Sequence, residues 1–167
     1  MVDLKFILTF LFIIYISAIS AQPIKNHHIK ENKKIQFYLS ETGARDVAYE
    51  GDKIGYELIV YFDGRIKQFT NFCGREKKLL RSTRISSTIV EQLLALMTEY
   101  DFLTYPVEKY DPRRIIIPTS YYTIGFRPSI NSDCKIFNVI GGAQINNYPL
   151  NHYEFKNKFR AVLFSAF

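Results

Sequence analysis

The stretch YELIVYFDGRIKQFTNFCG, residues 56–74, decides the fold. Apolar and polar residues alternate on both sides of Asp63-Gly64, the strongest short-range signature of a β-hairpin. The side chains discriminate between two registers. A two-residue turn pairs Phe62 with Arg65 and sets Val60 opposite Lys67. A three-residue turn with Gly64 in the left-handed region pairs Tyr61 with Arg65 and sets Val60 opposite Ile66, on one face with Leu58 and Tyr56. A slip of one residue sends every side chain to the other face. The second register gives the more continuous apolar face and is preferred, and it leaves Tyr61 and Phe69 on the outer face. Asp63 then reads as the corner of the hairpin rather than as a catalytic or metal-binding carboxylate. A short polar side chain tolerates turn geometry, and no companion carboxylate stands near it in sequence.

Upstream, KIQFYLS (34–40) alternates and predicts a strand. Residues 41–55, with three glycines and scattered charges, read as a long loop. Downstream, ISSTIVEQLLALMTEYDFLTYP (85–106) predicts a helix. Ser87 is its N-cap, or Thr88 and Glu91 form a capping box. Ile89, Val90, Leu93, Leu94, Leu96, Met97 and Tyr100 make a wide apolar stripe, and Pro106 forbids continuation. Residues 107–120 form a connector with two prolines. A second hairpin follows, from Ser120 to Arg127 and from Cys134 to Ile140, closed by Gly141-Gly142. Residues 149–167 predict a final helix that begins near Pro149. Phe155, Phe159, Val162, Leu163 and Ala166 lie on its inner face, with Lys156, Lys158 and Arg160 off it. Strands in hairpins separated by helices argue for an α+β domain. The expected architecture is an antiparallel sheet of two hairpins plus an N-terminal strand, with two helices packed on one face.

The frame YELIVYFDGRIKQF, STIVEQLLALMTEYDF and YDPRRIIIPTSYYTIGF resembles small exported bacterial domains of unknown function, over about residues 55–140. The shared features are an Asp-Gly hairpin, a helix ending in an aromatic after an acidic residue, and an Asp-Pro connector. Members often carry cysteines before the first hairpin, and this chain has none there. The resemblance implies location and fold but no activity.

The N-terminus agrees with export. Lys5 precedes an apolar run from Phe6 to about Ile19, followed by Ala18, Ser20 and Ala21, the layout of a signal peptide. The run is shorter than the roughly 20 residues of a membrane-spanning helix. The alternative is an uncleaved anchor, which the lysines at 25, 30, 33 and 34 disfavour. Cleavage after Ala21 is preferred over cleavage after Ser20. Residues 22–34, polar and basic around Ile29, read as a mobile leader. Residues 35–167 then form a single domain. Asp3 and Lys5 cancel, so loss of residues 1–21 leaves the net charge at +6. Twelve tyrosines and fourteen phenylalanines supply enough apolar area for a core.

Candidate chemistry is sparse. Export permits a disulfide between Cys73 and Cys134, one at a strand end of each hairpin, which meet if the hairpins are neighbours. The alternative is two separate buried thiols. His152 is the only histidine inside the predicted domain, so a Cys–His nucleophile lacks an orienting partner. His27 and His28 lack the third and fourth ligands of a metal site. Asp101, Glu108 and Asp111 read as solvated loop charges. Motifs for a P-loop, a nucleophile elbow, a zincin or a dinucleotide site are absent, and no cofactor is expected.

The basic run GREKKLLRSTR (74–84) stands apart. Arg75, Lys77, Lys78, Arg81 and Arg84 are opposed only by Glu76. The run is either a solvated loop or a site for an anionic partner. For an exported protein that partner is an acidic protein face, a lipid head group or an acidic glycan, and nucleic acid is not expected. The sequence therefore points to an exported, non-enzymatic protein that binds an envelope or extracellular partner through its surface. The alternatives are an inhibitor or immunity-type protein, or a small hydrolase with an unrecognised site.

Overall fold

The computed structural model describes residues 27–43, 49–105, 120–141 and 151–167. The predicted signal peptide (1–21), the two connector prolines, Glu108, Asp111 and Pro149 lie outside the described residues. The elements run α1 (His27–Glu31), β1 (Ile35–Gly43), β2 (Lys53–Tyr61), β3 (Arg65–Phe72), β4 (Arg75–Arg84), α2 (Ser87–Glu99), a 3-10 turn (Phe102–Thr104), β5 (Ser120–Phe126), β6 (Lys135–Gly141) and α3 (His152–Phe164). The strands form one sheet in the order β4-β3-β2-β1-β5-β6, and every neighbouring pair is antiparallel. The fold is α+β.

The Asp63-Gly64 hairpin adopts the register with the continuous apolar face. Val60 pairs with Ile66, Leu58 with Gln68 and Tyr56 with Thr70. Gly64 takes φ +80° and donates its N–H to the Tyr61 carbonyl at 2.9 Å, a conformation that costs glycine little and other residues more. Asp63 Oδ1 accepts from the Arg65 backbone N–H, and Oδ2 pairs with Arg65 Nε at 2.7 Å. The Arg65 N–H and guanidinium hold the Asp63 carboxyl below its usual range. Both of its oxygens thus serve the turn.

Alternation divides each strand between two faces. Phe37, Leu39, Leu58, Val60, Ile66, Ile124, Phe137 and Val139 bury one face in the main core with Leu93, Leu96 and Met97 of α2 and Phe155, Phe159 and Leu163 of α3. Burying each large side chain contributes about 1.5–3 kcal/mol. Phe37 and Phe159 rings meet at 6.1 Å, and Phe102, Tyr105, Phe137 and Phe155 form a ring cluster. Lys158 joins the helices, its ammonium 3.1 Å from both Glu99 and Glu154.

Several expectations are corrected. The sheet has six strands rather than five, because 75–84 is a strand and not a loop. The expected loop 41–55 is shortened from both ends, since β1 runs to Gly43 and β2 starts at Lys53. The strands come so close there that a Cβ on Gly55 would lie 2.0 Å from the Glu41 carbonyl oxygen. Helix α2 is capped by Ser86, not Ser87, with Ser86 Oγ accepting from the Ile89 N–H at 3.3 Å. It ends at Glu99, well before Pro106. Asp101 turns into the left-handed region at φ +47°, and the 3-10 turn then delivers Phe102 and Tyr105 to the core.

The leader reading of 22–34 also changes. His27–Glu31 form a helical turn on the sheet face opposite α2 and α3. Ile29 is fully buried there with Ile35, Tyr38, Ile59 and Ile136. Arg127, itself buried, donates to the Ile29 and Lys30 carbonyls at 3.4 and 2.8 Å. A cation at a helix C-terminus satisfies orphan carbonyls and opposes the dipole. The described part of the leader therefore belongs to the domain, and the described helices occupy both faces. Among the described residues, no helix is long and apolar enough to cross a membrane.

Candidate binding surface on the edge strand

The five predicted anion-binding residues all lie on β4, at one edge of the sheet. Each of the ten residues of β4 is exposed, although charged residues are poor strand formers. The ladder to β3 supplies the order, pairing Arg65 with Arg84, Lys67 with Ser82, Gln68 with Arg81 and Thr70 with Lys78. Among the described residues, no strand pairs with the other side of β4, so its outward N–H and C=O groups have no ladder partner there.

Cross-strand partners share a face, which sorts the side chains. Ile66, Gln68 and Thr70 face the helices and are buried. Thr83, Arg81 and Lys78, their partners, lie on that same side. The Arg81 guanidinium sits 5.3 Å above the ring of Phe167, at the end of α3. The register then shifts, because Phe69 pairs with Leu79 and leaves Leu80 as an extra residue. Such a β-bulge puts two consecutive side chains on one side. Leu79 and Leu80, 47% and 53% exposed, thus both lie on the outer side with Phe69.

The five cations are not equivalent. Lys77 points to the outer side and in toward the sheet. Its ammonium donates to both Glu57 carboxylate oxygens at 3.0 and 2.8 Å and lies 4.7 Å from the Phe69 ring centre. The Glu57 side chain is only 5% exposed, so Lys77 neutralises a buried carboxylate. Arg75 approaches Glu50 at 3.8 Å between exposed side chains. It also lines an open recess of about 410 Å³ with Ile54, Phe72, Gly74 and Glu76. Arg84 acts on Asp63, which it helps keep ionised. Among the described residues, no carboxylate pairs with Lys78 or Arg81, the two cations on the helix side.

The two cysteines are not joined to each other. Cys73 sits in the β3–β4 turn, at the sheet end where β1 finishes. Cys134 precedes β6, at the end where β1 begins. Four strand spacings of about 4.8 Å separate β3 from β6, against the Cα separation of about 4.4–6.8 Å that a disulfide requires. The expectation failed because β2, β1 and β5 intervene between the hairpin arms. Burial pushes the Cys134 thiol up, against the opposing pull of Arg127 and Lys30. It is therefore a poor nucleophile.

A second cluster had no signal in the sequence. Glu41, on the helix side of β1, accepts from the Tyr56 hydroxyl at 2.7 Å and from Lys156 at 3.1 Å, with Arg160 at 3.5 Å. Lys156, which the sequence placed off the inner face of the helix, is buried, with its ammonium 5.0 Å from the Tyr122 ring centre. His152 is also buried, its ring tilted against Tyr153 at 4.1 Å and parallel to Tyr122 at 6.3 Å, on the face opposite Cys134 and remote from a Cys–His pair. Burial alone would raise the Glu41 carboxyl, but the Tyr56 hydroxyl, Lys156 and Arg160 together hold it below its usual range. A carboxylate held ionised in this way is a weak proton acceptor, and the cluster locks α3 onto β1. Only the 115-residue separation of Lys156 from Glu41 had to be closed, and tertiary structure alone closes it. No protein-family model matches the chain, and no curated protein sequence matches it.

Proposed function

We propose that the chain is an exported, non-enzymatic binding protein whose β4 edge receives an extended acidic segment of a partner protein by strand addition. One observation carries the reading. A ten-residue strand with its outer backbone edge unpaired among the described residues bears five cations and one acidic residue. Backbone hydrogen bonds of an added strand supply affinity, and side chains supply specificity. The charges also select the partner. A second copy of β4 would set cations against cations, whereas an acidic strand relieves that repulsion. The ten-residue length of the edge favours a polypeptide over a lipid head group or an acidic glycan, neither of which has backbone groups to pair. Export rests on the apolar N-terminal run of the sequence.

The test is fluorescence anisotropy with a labelled peptide of alternating Glu and Val. A second peptide of the same sequence carries an N-methyl group on every amide, which keeps the charge and removes the N–H donors of both edges. The unmodified peptide is expected to bind, with affinity falling as salt rises, and the N-methylated peptide to bind at least about tenfold more weakly. Equal binding of both peptides, or stronger binding to phosphatidylglycerol vesicles or an acidic polysaccharide, would overturn strand addition.

A further inference from the structure

Resting on the reading of β4 as an acceptor edge, we infer that this edge is two-faced. It selects a partner strand whose acidic residues all lie on the helix side and whose apolar residues all lie on the outer side.

The β-bulge creates the asymmetry. Without it, Leu79 and Leu80 would fall on opposite sides. With it, both exposed leucines join Phe69 on the outer side. Lys77 is also on that side, but its charge is turned inward onto the buried Glu57 carboxylate. A partner strand meeting the middle of the outer side thus encounters apolar surface and a neutralised cation. On the helix side it meets Lys78 and Arg81, which have no carboxylate partner among the described residues. Behind Arg81 stands Gln68, its cross-strand partner and 6% exposed, whose buried Oε1 accepts no hydrogen bond among the described residues. Arg81 is braced by the Phe167 ring at 5.3 Å, which limits the rotamer freedom lost on binding. A strand alternates its side chains strictly, so the chemistry that fits is an acidic–apolar alternation. Acids distributed over both sides would force some carboxylates against Leu79 and Leu80, where they are desolvated without a cation.

Two peptides of identical composition separate this inference from the reading beneath it. One alternates Glu and Val, and the other groups its Glu residues ahead of its Val residues. Titrated against the whole protein, the alternating peptide is expected to bind about tenfold more tightly. Lys78→Glu with Arg81→Glu should erase that preference, while Arg75→Glu with Arg84→Glu should lower both affinities alike. All four positions are exposed, and thermal melts of each variant are to check that it folds. Equal affinity for the two peptides, or equal effects of the two charge-reversal pairs, overturns the two-faced edge. If that happens while N-methylation still abolishes binding, strand addition survives. If N-methylation has no effect, the underlying reading fails too.

Discussion

Strands β4 and β6 end the same sheet at opposite edges, yet they are held by different forces. β6 buries side chains on both of its faces. Phe137 and Val139 enter the core beneath α3, and Ile136 joins the cluster around Ile29. β4 buries nothing. Its order rests on the ladder to β3, the Lys77–Glu57 pair and the Arg81–Phe167 contact. The hydrophobic effect thus supports one edge, and backbone hydrogen bonds with a few charged contacts support the other. A strand without core contacts lies at the low-stability end of a protein, which is where binding edges are found. The teaching is that an edge can be stabilised by burial or left available for a partner, and this sheet does one on each side.

The comparison breaks most visibly on truncation. Phe137→Ala should cost about 3–5 kcal/mol through lost transfer energy and a cavity in the ring cluster. Leu80→Ala should stay within about 0.5 kcal/mol because the side chain is 53% exposed and outside both core clusters. Urea denaturation of the two variants measures both. Comparable losses would mean that β4 is as integral to the core as β6.

The second effect concerns the covered half of the molecule. Glu41→Gln should cost about 1–3 kcal/mol near neutral pH, because it breaks charge-assisted bonds to Tyr56 and Lys156. Its folded-state carboxyl lies below the ordinary 4.5. The stabilisation is therefore complete above that value and disappears as pH falls through the lower folded value. Thermal melts across this acidic range should show wild type and variant converging as the pH falls. A constant gap at all pH values would assign the Glu41 contribution to packing instead.

The smallest effect sharpens the account of β4. A double-mutant cycle on Lys77→Met and Glu57→Gln should give a coupling of about 1 kcal/mol, between the values of exposed and buried pairs. The Lys77 side chain is 40% exposed and the Glu57 side chain 5%. A coupling near zero would leave the ladder and the Arg81–Phe167 contact to hold the strand.

Local patterns were legible wherever one face of an element is buried. The Asp63-Gly64 register followed from keeping Val60, Leu58 and Tyr56 opposite apolar or buried partners. The inner face of α3 followed from the spacing of Phe155, Phe159 and Leu163. β4 was illegible because it has no buried face, so no alternation marks it, and its charges read as loop. Ile29 was illegible because two isolated isoleucines, Ile24 and Ile29, in a basic run carry no helical or strand period. Its burial depends on the gap that the outer faces of β1, β2, β5 and β6 create.

The sequence by itself determined the β2–β3 and β5–β6 hairpins, the two longer helices and the α+β class, because short-range periodicity and turn chemistry act between residues that are neighbours in the chain. Only the tertiary structure decided the strand order that separates Cys73 from Cys134, the closure of Glu41 on Lys156, and the conversion of a basic run into a bulged, two-faced edge. Each of these depends on which distant segments meet. That is settled by the summed burial of both sheet faces and not by any local preference.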